Sequence, residues 1–185
     1  MDVKGVAVQI FQPFLTERHG QTGYGDWLAA LSPESRAIFS RPIDPNAWYP
    51  IREAFIDPTQ VMCDHFYGGD VRGAREIGHY SGQAAFRGFL RSILKLTSVK
   101  MFLLRSTAVM PTYYRPSALA VPEIGEGRAL ICITRFPVPH TLVDNRIAGW
   151  SVGALEEHGQ REVGAEVAKS LARGDPYTEI VVTWK

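Results

Sequence analysis

The sequence predicts an α+β fold: an N-terminal helical layer packed on a C-terminal antiparallel sheet of about four strands, with one helix crossing it. Three observations predict it. Apolar residues recur at helical spacing through most of residues 1–110. Residues 128–185 instead read strand, helix, strand, strand. No linker, repeat or low-complexity tract divides the two parts. Residues 1–185 are therefore expected to form a single domain, mainly helical over 1–110 and sheet plus crossing helix over 111–185.

The C-terminal part carries the clearest signals. Residues 128–136 alternate with apolar side chains on both faces, Leu130, Cys132 and Phe136 against Ala129, Ile131 and Ile133, as in a strand covered on both sides. Pro137 and Pro139 end it. Thr141, with Asp144 after it, offers a helix N-cap, and Gly159 offers the C-cap. Between the caps, Val143, Ile147, Trp150 and Ala154 form one stripe, and Ala148, Val152 and Leu155 a second. Such a broad arc predicts a helix that lies on the sheet and touches another element. Gly149 and Gly153 form a thin strip that admits another backbone. Val163, Ala165 and Val167 at period two, then Arg173-Gly174-Asp175-Pro176, then residues 177–184, read as a hairpin. Residues 162–171 also fit a short helix through Val163, Val167 and Leu171, and that alternative stays open.

In the N-terminal part, Val3, Val6, Ala7, Ile10, Phe11, Phe14 and Leu15 predict a helix over residues 3–19 stopped by Gly20, with Pro13 as a kink. The alternative is a strand over 6–11 followed by a helix from Pro13. Short helices are expected over 26–31, from Ser32-Pro33, over 48–57, from Pro58 to Gly68, and from Asp70 through Gly78. Residues 84–96 present Phe86, Phe89, Leu90, Ile93 and Leu94 opposite Arg87, Arg91 and Lys95. Residues 99–104 continue that helix or form another, and the stretches 111–115 and 117–124 read as extended.

Composition excludes several function classes. Twenty basic against 19 acidic residues leave a net charge of +1, with no basic excess to hold nucleic acid. Cys63 and Cys132 are too few for a disulfide framework, and their spacing is not that of metal ligands. No apolar run reaches about 18 residues, so no membrane insertion is expected, and the N-terminus has no secretory pattern. A cytoplasmic setting follows as the default. No nucleophile elbow, phosphate loop or dinucleotide fingerprint is present.

Several short motifs resemble one known family. Val3-Lys4-Gly5 with Arg18-His19-Gly20, Ala74-Arg75-Glu76-Ile77-Gly78 followed by residues 86–90, and Gly153 to Gly159 with a hairpin closing on Trp184 resemble heme-nitric-oxide/oxygen-binding (H-NOX) domains. The same superfamily includes 4-vinyl-reductase domains and transport-particle (TRAPP) subunits. Val3-Lys4-Gly5, Trp48-Tyr49-Pro50 and the C-terminal unit also look like uncharacterised proteins of myxobacteria, which implies a bacterial source. The resemblance implies an H-NOX-like fold and a sensory or regulatory role. It also implies an iron-holding histidine on the helix before the sheet, yet residues 87–112 contain none. The family's Tyr-x-Ser-x-Arg grip on the heme propionates is met only by the residue types of Tyr113-Tyr114-Arg115-Pro116-Ser117, not their spacing. On these grounds no cofactor, heme included, is expected.

Candidate site residues follow. His79 and Tyr80 sit where one helix ends and another begins; a helix-terminal histidine is also ordinary capping. Tyr113, Tyr114 and Arg115 place two aromatics and a cation at the entry to the sheet, as in a small-molecule pocket or a plain sheet edge. Cys63 and His65 are two apart on one helix, so they face apart and cannot share a metal. No catalytic or metal site is expected. The first functional expectation is a non-enzymatic sensory or regulatory domain binding a small apolar or amphipathic ligand or a protein partner. A dimerisation or scaffolding module using the Gly149/Gly153 strip or an exposed sheet edge, a heme gas sensor and an uncharacterised enzyme are the alternatives.

Overall fold

The chain enters through a strand, β1 (Asp2–Lys4), and not through the helix that Val3, Val6 and Ile10 predict. The computed structural model describes residues 1–86 and 97–185. β1 is the middle of a three-stranded antiparallel sheet, between β2 (Trp48–Pro50) and β3 (Tyr114–Arg115). Val3 pairs with Tyr49 on one side and Tyr114 on the other. At Gly5 a Cβ would lie 1.9 Å from the Asp44 carbonyl oxygen, so only glycine lets the chain turn here into α1 (Gly5–Val8).

α2 (Phe11–Ala30) consists of two helical stretches that meet at Gly20, whose φ of 74° breaks the helix where a stop was expected. Pro13 lies in its first turn, where a missing N–H costs nothing. Ser32 caps α3 (Pro33–Phe39) by accepting from the Ser35 N–H. A π-helical segment (Arg52–Ile56) runs into α4 (Asp57–Tyr67), which ends at Gly68 with φ 62°. The helix expected over 48–57 thus starts late, because Trp48–Pro50 is spent on β2. α5 is Arg72–Ala85. Most of the helix expected over 84–96 lies outside the described residues. α6 (Val99–Tyr113) is a separate helix that carries Pro111 inside it, so the extended stretch begins at Tyr114.

The second sheet comprises β4 (Ala118–Gly125), β5 (Arg128–Arg135), β6 (Gly164–Lys169) and β7 (Thr178–Thr183), in the order β4-β5-β7-β6 and antiparallel throughout. Ile131 pairs with Ile180, and Ile180 with Val167. Ala129, Ile131, Ile133, Ile180 and Val182 make its buried face. The ambiguous 162–171 stretch resolves into β6 and a 3-10 turn, Leu171–Arg173, so the hairpin prevails over the helix. Between β5 and β6 comes α7 (Thr141–His158), which packs on β6 and β7 on one side and on α5 on the other. Its N-cap is His140, whose Nδ1 accepts from the Leu142 N–H, and not Thr141. Asp144 is drawn elsewhere: it accepts from the Ser170 and Thr178 hydroxyls and ties α7 to the hairpin.

α5 and α7 cross on four glycines. A Cβ on Gly78 would lie 2.2 Å from the Arg146 carbonyl oxygen, and one on Gly82 2.3 Å from that of Trp150. The converse distances are 2.1 Å from Gly149 to Arg75 and 2.3 Å from Gly153 to His79. The strip expected to admit another backbone therefore admits α5 of the same chain. The use of Gly149 and Gly153 by a second copy is corrected, because both are buried in this crossing.

Two predictions follow from this packing. Gly149→Ala is expected to lose on the order of 1–3 kcal/mol through overpacking, read as a lower midpoint in urea; an unchanged midpoint would contradict the crossing. Burial pushes the Cys63 thiol up to about 11, so it stays protonated and shielded. In Cys132→Ala protein at pH 8, a disulfide-exchange reagent is expected to titrate Cys63 only after denaturant is added, and immediate labelling of the native protein would refute its placement.

Candidate functional site

α6, the buried face of the four-stranded sheet and α7 enclose an apolar cavity of about 70 Å³, walled by Met110, Tyr114, Leu119, Ile131, Ile147 and Leu155 among others. Beside it, on the side of Ala85 and Thr97, opens a larger cavity of about 430 Å³. The two share Phe102, Ser106, Val109, Tyr113 and Trp150 as a common wall. A third cavity, of about 20 Å³, lies behind Tyr113, Tyr114 and Trp150 and is floored by Arg146 and Phe55. Tyr113 and Trp150 border all three.

Each wall has a local cause. Trp150 belongs to the apolar stripe of α7, and the glycine crossing fixes the height of that helix over the sheet. Tyr113 is the last residue of α6, and pairing of Tyr114 with Val3 holds the junction in place. Tyr114 also packs edge-on to Phe55, with ring centroids 5.6 Å apart. Burial raises the Tyr113 phenol above its ordinary range. Burial pushes the Tyr114 phenol up to about 12, against the pull of Arg146. Both rings therefore carry neutral hydroxyls.

The structure separates the five residues singled out in the sequence. Tyr113 and Tyr114 line the cavities. Arg115 lies outside, with Nε 3.1 Å from Asp2 and its guanidinium over the Trp48 ring. His79 lies at the α5–α7 crossing, where its Nε2 is 2.6 Å from Glu156. Tyr80 turns toward α2, donating to Glu17 at 3.0 Å with its ring edge against Phe14. His79, Tyr80 and Arg115 do not line any of these three cavities. Cys63 is buried and His65 exposed on α4, as their spacing requires.

Sequence reasoning missed Arg146. Only 3% of it is exposed. Its Nη1 donates to Thr59 Oγ1 at 3.0 Å, and its Nη2 faces the Ala7 carbonyl at 3.4 Å. Thr59 in turn donates to the Phe55 carbonyl at 2.5 Å, which leaves its lone pairs for the guanidinium. The guanidinium carbon stands 3.7 Å from the Phe55 ring centroid and 4.8 Å from that of Phe11. Burial lowers its pKa to about 10, so it remains a cation at neutral pH. A signal was available: Arg146 falls three residues after Val143 and four before Trp150, inside the apolar stripe.

None of the five histidines lines these cavities. His158 packs behind one wall: its ring is 5.5 Å from that of Phe102, and its Nε2 is 3.0 Å from the Thr97 carbonyl oxygen. The heteroatoms that α6 offers to the inner cavity are the Met110 thioether and the Ser106 and Tyr113 hydroxyls.

No protein-family profile matches the chain, and no curated protein matches it. Solved structures do. An H-NOX protein from S. oneidensis in its Fe(II)NO state is similar at a TM-score of 0.74 and 10% identity, over 98% of this chain and 99% of that one. A Fe(II) unliganded H-NOX protein mutant from K. algicida is similar at 0.68 and 11% identity, over 98% and 96%. A third structure, from a study of heme distortion in the H-NOX family, is similar at 0.65 and 15% identity, over 98% and 95%. This comparison overturns the expectation of no cofactor. That expectation rested on one missing histidine, whereas the architecture along 98% of the chain is that of proteins solved with iron. From β1 to β7, the chain has the H-NOX fold.

Proposed function

We propose that residues 1–185 act as one non-enzymatic sensory domain. In this reading a porphyrin-class cofactor, heme in the first place, occupies the larger cavity beside α6 and reaches the inner one, between α6, the sheet and α7, at the wall they share. The observation that carries the proposal is the apolar cleft of about 430 Å³ beside α6, in a chain with the H-NOX fold. Its size lies within the roughly 300–1,000 Å³ of small-molecule sites.

The body of the cleft fits such a group. Phe102, Val109, Tyr113 and Trp150 supply flat or apolar walls, and Arg105 at the larger cavity supplies a cation for an acidic edge. The axial position departs from the family's pattern, since α6 has no histidine. Thioether and phenolate both serve as heme ligands in proteins. Burial keeps Tyr113 protonated, so the Met110 thioether, which lines the inner cavity and not the larger one, is the donor that is ready at neutral pH. Bound iron would supply a coordination site for a diatomic gas; the chain's own part is to exclude water and to present a weak, soft ligand.

A second reading rests on that same absence of histidine: a metal-free apolar or amphipathic molecule fills the cleft. Among the described residues no helix is long and apolar enough to cross a membrane.

Hemin titration of the purified full chain tests both. One equivalent is expected to give a Soret band, whose position moves in Met110→Leu and stays in Tyr113→Phe at pH 7. No band at any hemin concentration would end the porphyrin proposal. Native mass spectrometry showing a co-purified organic mass without iron would then select the second reading.

A further inference from the structure

We propose that the small cavity floored by Arg146 is an anion-recognition subsite, which takes the carboxylate end of an amphipathic ligand whose apolar body fills the cleft between α6 and α7. This deepens the preceding proposal and rests on its claim that the cleft holds a ligand.

Among the described residues, this buried guanidinium has no carboxylate partner. Its two hydrogen-bond acceptors, Thr59 Oγ1 and the Ala7 carbonyl, are neutral. The Phe55 and Phe11 faces offer only the partial negative charge of a ring quadrupole. Among the described residues, the acidic groups whose charge reaches Arg146 are the Tyr114 phenol and the Cys63 thiol, and no carboxylate does so. Asp144, on the same helix, faces the opposite way and is held by Ser170 and Thr178. Glu156 is engaged with His79 and Gln83 at the helix crossing. A charge in this position is costly until a partner of opposite sign arrives.

The space beside it suits such a partner. The cavity measures about 20 Å³, room for about one water-sized group, hence one carboxylate oxygen. Ser81, Tyr113 and Tyr114 are among its lining residues, and each carries a hydroxyl group of the kind that donates to an anion. Tyr113, Tyr114 and Trp150 also border the apolar cavity and form the partition between the two spaces. A long apolar molecule with one acidic end would meet both surfaces where these side chains part, whereas its neutral analogue would leave the guanidinium unmet. The shared chemistry is a single negative charge, which a free small anion also carries.

Calorimetric titration of the full chain with octanoate and with 1-octanol tests the subsite, and a formate titration read by thermal shift identifies the source of the anion. Octanoate is expected to bind at least tenfold more tightly than octanol. Arg146→Met is expected to abolish that ratio, and Arg115→Gln, which lies outside the cavities at the Asp2 pair, to keep it. A melting temperature raised by formate as much as by octanoate supports the anion site and assigns it to a free ion. Equal affinities for octanoate and octanol with no effect of formate overturn the proposal, as does a ratio lost in Arg115→Gln and kept in Arg146→Met. If Arg146→Met does not fold, the wild-type ratio and Arg115→Gln decide. Failure of hemin to bind while the octanoate preference stands removes the porphyrin reading and leaves the subsite; the reverse pattern removes the subsite alone.

Discussion

Backbone-to-backbone contact between α5 and α7 sets the geometry of everything near the cleft. Four glycines allow it, and at each of them a methyl group would fall 2.1–2.3 Å from a carbonyl oxygen of the other helix. No relaxation of side chains relieves such an overlap, because the obstructing atoms are main chain. With α7 held at that height, Trp150 and Arg146 have fixed positions relative to α6 and the sheet. The cleft is therefore a consequence of where α7 cannot go: it lies tight on α5 and on β6 and β7, and space remains on the side of α6.

α7 is also unusual in being buried almost all round, polar residues included. Each polar side chain answers to a different neighbour. Asp144 serves the β6–β7 hairpin, and Asn145 accepts from Arg75 of α5 at 2.8 Å. The Ser151 hydroxyl donates to the Ile147 carbonyl, and His158 reaches Thr97. Buried polar groups with partners specify one arrangement among many that an apolar helix would tolerate. Arg146 is the exception in kind, since its partners satisfy geometry and leave charge unbalanced.

The C-terminal half was legible because its signals are local and redundant. The β5 alternation, the Gly159 cap and the glycine strip each act within a few residues, and the structure uses all of them. The three-stranded sheet was not legible, since strands of two or three residues are too short to show a period, and β1 pairs with residues far along the chain. Tyr113 and Tyr114 stood out through their composition. His79 and Tyr80 drew attention by type, although the carboxylates they meet, Glu156 on α7 and Glu17 on α2, are remote in sequence. Arg146 escaped because a charged residue reads as surface until the neighbouring stripe is weighed against it. The cofactor expectation went astray by treating one ligand position as decisive for an architecture that extends along the whole chain.

The pairing of Asp2 with Arg115 and the meeting of Gly78 with Arg146 have a bearing on how the molecule is made. Both join segments that leave the ribosome far apart in time. Loop closure over such spans precedes any reward from the contacts themselves, which slows folding. Until α7 has been synthesised, the glycine face of α5 has nothing to rest on, and the apolar helices before it wait in partly exposed form. A nascent chain in that interval has the surface that chaperones recognise.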